Sequence, residues 1–126
     1  MKINNYFISK HDSLGRYLEV CDNVTTVLGY EKFEIIGVVA YDLFNPEFIR
    51  EIVISHLSES LTKVEYQILT KSGNFIYVVT LSFKSMNDGD PNDFIYCLTR
   101  KMNLFEIIRL EFNRFLSKIN RYIKWI

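Results

Sequence analysis

Apolar and polar residues alternate along five stretches of the chain and recur at helical spacing along two others. Tyr6 to Lys10 and Arg16 to Val20 read as short strands around the turn-forming His11-Asp-Ser-Leu-Gly15, whose glycine tolerates positive φ. Val64 to Lys71, Asn74 to Lys84 and Phe94 to Arg100 read as three further strands. Lys-Ser-Gly-Asn closes the first pair, and the loop Asn87-Asp-Gly-Asp-Pro-Asn-Asp93 links the second. Between the two sets, Asp22 predicts the N-cap of a helix that ends at Leu28, with Gly29 beyond its C-terminus. Glu31 to Ile36 and Ala40 to Phe44 suit helical turns. Pro46 opens a helix over about Glu47 to Leu61 that aligns Phe48, Ile52 and His56. The order β-β-α-α-α-α-β-β-β, then a long helix, predicts an α+β fold with one antiparallel sheet and its helices on one face.

Strand alternation sends Tyr6, Ile8, Leu69, Phe75, Tyr77, Val79, Leu81, Phe83, Tyr96 and Leu98 to the side away from the helices. A sheet face left to water would carry polar residues, so this one is expected to be an interaction surface or to be covered by the chain itself. The last segment has the residues for a cover. Phe105, Ile108, Phe112, Phe115, Ile119, Tyr122 and Ile126 recur at alternating spacings of three and four, and Leu116 and Ile123 widen that stripe. Four aromatics in one seam suit a broad apolar sheet better than a tight two-stranded coil. The sheet could belong to the same chain or to a partner, as in a homodimer with exchanged or paired helices; a membrane surface is a third option.

The chain of 126 residues suits one domain, and its apolar content of 48% argues against disorder. Residues 1–103 are read as the domain and 104–126 as an appended helix. Net charge is zero, so direct nucleic-acid binding is not expected. The charge is uneven, however: the last 23 residues hold five basic and two acidic side chains, the rest ten basic and thirteen acidic. Cys21 and Cys97 lie far apart, which suits a reducing interior. Neither a signal peptide nor a run long enough to span a membrane is evident, so an intracellular location, cytoplasmic or nuclear, is expected. No phosphate loop, nucleophile elbow or metal-binding spacing appears. Asp88, Asp90 and Asp93 lack the distal Glu of an EF-hand, so no metal is assigned, and a non-enzymatic role follows.

Phe7-Ile-Ser-Lys-His11, Thr25-Thr-Val-Leu-Gly-Tyr30, Ser55-His56 and the Tyr66…Lys-Ser-Gly73 hairpin together resemble a PAS domain. The likeness is greatest to the second PAS repeat (PAS-B) of animal bHLH-PAS transcription regulators and covers about residues 6 to 101. It implies a five-stranded antiparallel sheet and an internal cavity lined by Phe7, Ser9, His11, Ala40, Phe44, Ser55, His56, Tyr66, Ile68, Val78, Cys97 and Thr99. That cavity is either a satisfied polar core holding water or the site of a small apolar or amphipathic ligand. Haem is not expected, although His56 lies on the helix that supplies the iron ligand in some haem PAS domains. Flavin is not expected either, because the cysteine motif of the photosensory PAS group is missing. The resemblance therefore implies a signalling and interaction module, pairing with a protein partner or a second copy, with a role in transcriptional regulation by analogy. The alternative is a small-molecule sensor.

Overall fold

The computed structural model describes residues 5–58, 61–84 and 94–123, the side chains of 54–58 excepted. The side chains of the predicted site residues Ser55 and His56, together with Ile126 and the acidic loop with Asp88, Asp90 and Asp93, lie outside that description. In chain order the elements are β1 (Tyr6–His11), β2 (Tyr17–Val20), α1 (Val24–Leu28), α2 (Lys32–Ile35), a 3-10 turn (Ala40–Leu43), α3 (Pro46–Ser58), β3 (Leu61–Leu69), β4 (Phe75–Lys84), β5 (Ile95–Lys101) and α4 (Leu104–Ile123). The strands form one antiparallel sheet in the order β2-β1-β5-β4-β3.

The fold buries one face of this sheet. Phe7 in β1, Val64, Tyr66 and Ile68 in β3, and Val78 in β4 pack against Val24, Val27 and Leu28 of α1, Ile35 of α2, and Phe48 and Ile52 of α3. The period of two places these strand residues on one side, and the helices run across them. Gly29 ends α1 at φ 86° with its N–H on the Thr25 carbonyl, the left-handed C-terminal geometry that its sequence position suggests.

Most boundaries differ from the expectation by one or two residues, and two of the differences have a physical reason. The residue at the start of α1 is Asn23, with helical dihedrals and no side-chain cap, while the Asp22 carboxylate reaches Lys32 at 3.2 Å. At the other boundary α3 stops at Ser58 and β3 begins at Leu61, because Leu61 and Thr62 already pair with Phe83 and Ser82. The Thr62 and Ser82 hydroxyls lie 2.8 Å apart. Cross-strand pairing outweighs the helical pattern there.

Candidate functional site

Inside the sheet a small cavity of about 40 Å³ is lined by Ser9, His11, Gly15, Tyr17, Ala40, Tyr41, Phe44, Ile52, Val64, Tyr66, Thr80, Ile95, Cys97 and Thr99. Seven of the residues expected to line a cavity are in this set. Phe7, Ile68 and Val78 face the same way and are fully buried, but they belong to the packed core beside it. The other lining residues were not identified from sequence. Val64 and Thr80 were available from the alternation of their strands. Gly15, Tyr41 and Ile52 reach the cavity only through tertiary contacts.

Hydrogen bonds partition the cavity into two polar clusters. Tyr66 Oη, Thr80 Oγ1 and Thr99 Oγ1 form a ladder across β3, β4 and β5 with spacings of 2.8 and 2.9 Å. On the other side His11 Nδ1 lies 3.2 Å from the Gly15 carbonyl, and its Nε2 lies 2.8 Å from the Ser9 hydroxyl. A carbonyl only accepts, so Nδ1 carries the proton; in the neutral ring Nε2 accepts from Ser9. Gly15 is at φ 86°, and a Cβ there would approach Tyr41 to 2.9 Å, so the turn that supplies this carbonyl depends on glycine. Phe44 caps Tyr66 edge-on at 4.6 Å, and Tyr17 lies 4.2 Å from the His11 ring.

Burial pushes the Tyr17 and Tyr66 phenols well above their usual range and the Cys97 thiol up to about 12, so all three are neutral at physiological pH. The cavity therefore suits water or a neutral hydroxylic molecule of a few heavy atoms. A cavity of this volume holds only about one to three waters. Among the described residues no cluster of His, Cys, Asp and Glu could hold a metal ion.

The other face of the sheet has the opposite character. Registers place its side chains in rows: Tyr6, Arg100, Val79 and Glu65; then Ile8, Leu98, Leu81 and Lys63; then Lys10, Tyr96, Phe83 and Leu61. Ile8, Leu81 and Phe83 are about half exposed. Phe83 stacks on Tyr96 at 5.3 Å, and the Lys10 ammonium lies 4.2 Å from the Phe94 ring. In the first row Val79 is buried, unlike its neighbours on this face. Leu69 and Tyr77 are half-buried and Phe75 is exposed.

Helix α4 does not cover this face with its stripe. Asn103 and Glu106 form a reciprocal capping box, and Arg100 grips Glu106 through two bonds of 2.7 and 2.8 Å. Farther along, Tyr77 donates to Glu111 at 2.9 Å, Arg114 pairs with Glu111 and Glu47, and its guanidinium sits 4.1 Å from the Phe48 ring. These anchors turn Glu106, Ile107, Leu110, Glu111 and Arg114 toward the body. Consequently Phe105, Ile108, Phe112, Phe115 and Tyr122 are exposed, between 56% and 86%, and Ile119 is half-buried. Covering of the sheet by the stripe of the same chain is therefore not what this structure contains. No described helix is long and apolar enough to cross a membrane.

No family model matches the chain. Two curated proteins of Drosophila melanogaster do. The aryl hydrocarbon receptor nuclear translocator homolog is 28% identical over 102 residues, 72% of this chain and 15% of that protein. The circadian locomoter output cycles protein kaput is 24% identical over 111 residues, 84% of this chain and 11% of that protein. The chain thus spans less than a sixth of the length of either. Among solved structures, the Drosophila melanogaster Cycle PAS-B domain with bound ethylene glycol superposes with a TM-score of 0.70 at 22% identity, covering 76% of this chain and 99% of that one. The sheet order, the helical layer and these likenesses agree: the chain has the PAS fold and is similar to the second PAS repeat of bHLH-PAS proteins.

Proposed function

We propose that the chain is a non-enzymatic interaction module that pairs with another protein or a second copy through the outer sheet face and α4, in a regulatory assembly of the bHLH-PAS kind. One observation supports this reading above others: Ile8, Leu81, Phe83 and Leu98 on the sheet, and Phe105, Phe112 and Phe115 on α4, are all exposed. Apolar surface of that extent on a small domain marks a contact site. Photo-crosslinking amino acids at Leu98 and Phe112, with Glu31 on the helical side as control, test it. Discrete crosslinked products from the first two positions alone are expected. No products, or equal products from all three, would refute the reading.

A second reading concerns the cavity, where a small neutral ligand would act as a signal. It is supported by the hydrogen-bonding lining and by the ethylene glycol bound in the similar Cycle domain. Its test is thermal stability with small diols and alcohols. A stabilisation that rises with concentration and is lost when Thr80→Val shortens the ladder is expected.

A further inference from the structure

The way α4 is anchored specifies the chemistry of what it binds. Both carboxylates of α4 among the described residues are engaged: Glu106 is turned inward onto Arg100, and Glu111, half-exposed, is held by Tyr77 and Arg114. On the free side, Arg109 follows Phe105 by four residues and precedes Phe112 by three, while Lys118 follows Phe115 by three and precedes Tyr122 by four. At those spacings each cation flanks the stripe. Both are exposed, and among the described residues neither has a carboxylate within ion-pair distance. The outward side is thus a seam of large apolar residues with a cationic border, about 27 Å long from Phe105 to Ile123.

We propose that this side of α4 receives an acidic amphipathic helix of a different protein, with small and medium apolar residues in its seam and carboxylates along its flanks. The proposal rests on the reading of α4 as a pairing surface and names the partner that reading leaves open. Charge disfavours the simplest alternative: two copies of α4 laid seam to seam would set Arg109 and Lys118 of both along the border, with only Glu111, already held by Tyr77 and Arg114, to oppose them. Size sets the seam, because Phe105, Phe112, Phe115 and Tyr122 project far enough to need small residues opposite them. A single helix on α4 meets the cationic border alone, whereas an anionic membrane is a broad surface that also faces the rest of the chain, whose thirteen acidic residues outnumber its ten basic ones.

The test uses the full chain and two synthetic peptides of the length of α4, both with alternating Ala and Leu in the seam. One has Glu at every flanking position and the other Lys. Binding is read by fluorescence anisotropy at low and high salt. The Glu peptide is expected to bind with an affinity that falls as salt rises, and the Lys peptide at least about tenfold more weakly. The double variant Arg109→Glu, Lys118→Glu, checked for unchanged circular dichroism, is expected to invert that preference. Equal binding of both peptides, a preference unmoved by the charge reversal, or a homodimer through α4 without peptide would overturn the proposal. So would binding to phosphatidylserine vesicles with no binding to the Glu peptide. If neither peptide binds while Leu98 and Phe112 still give crosslinks, the acidic helix falls and the pairing function stands. If the crosslinks are absent too, both fall.

Discussion

The two faces of the sheet are built from the same five strands, yet each satisfies its side chains differently. On the inner face every hydroxyl of the Tyr66–Thr80–Thr99 ladder has a partner, and His11 is held through both ring nitrogens. On the outer face, leucines, isoleucine and phenylalanine stand half in water, and the adjoining helix directs Glu106, Glu111 and Arg114 to the body and its apolar stripe outward. Polar groups that are buried must be paired internally, whereas apolar groups that are exposed have their free-energy gain still available to another molecule. The inner face consequently accounts for stability, and the outer face keeps apolar surface available.

Substitutions separate the two roles. The largest effect is expected from Ile68→Ala, since this side chain is fully buried in the core. A loss of about 2–5 kcal/mol in denaturant unfolding, with no gain in association, would agree with the division. Next is Thr80→Val, which leaves the Tyr66 and Thr99 hydroxyls each short of a partner. It should cost about 1–3 kcal/mol, and an unchanged midpoint would show that water replaces the ladder.

The anchor of α4 is expected to respond to acid. Arg100 holds the Glu106 carboxyl at about 2, below its ordinary value. With a folded value below the unfolded one, the stabilisation is complete above about pH 4.3 and drains away as pH falls through 2. The protection factor of the Ile107 amide, which bonds the Asn103 carbonyl at 3.1 Å, should fall across that window in the native chain once the intrinsic pH dependence of exchange is divided out. In Glu106→Gln it should be insensitive to that window; an acid-independent protection factor in both would argue against this anchor. The smallest change in stability is expected from Leu98→Glu, within about 0.5 kcal/mol. That variant should nevertheless lose the crosslinks formed at Phe112 if sheet and helix serve one partner. Retained crosslinks would make them separate surfaces.

Much of this division was legible from residue spacing. Alternation in β3, β4 and β5 separated Tyr66, Ile68, Val78 and Thr99 from Leu81, Phe83 and Leu98, because a strand's period of two is a local property. The lining of the cavity was only half legible. Tyr41, Ile52 and Gly15 lie on different segments, and no spacing within any one of them reports that they meet. The expected end of α3 fails for a related reason: Leu61 continues the helical pattern in sequence but has a strand partner, Phe83, twenty-two residues away.

Helix α4 marks the limit most clearly. Its extent and its stripe follow from the sequence alone, since both depend on residues three and four apart. The direction in which the stripe faces does not. That was decided by Arg100, Tyr77, Glu47 and Phe48, contributed by β5, β4 and α3, whose bonds to Glu106, Glu111 and Arg114 are made only once the chain has folded. An amphipathic pattern determines which side chains share a face, and tertiary contacts determine whether the domain itself covers that face.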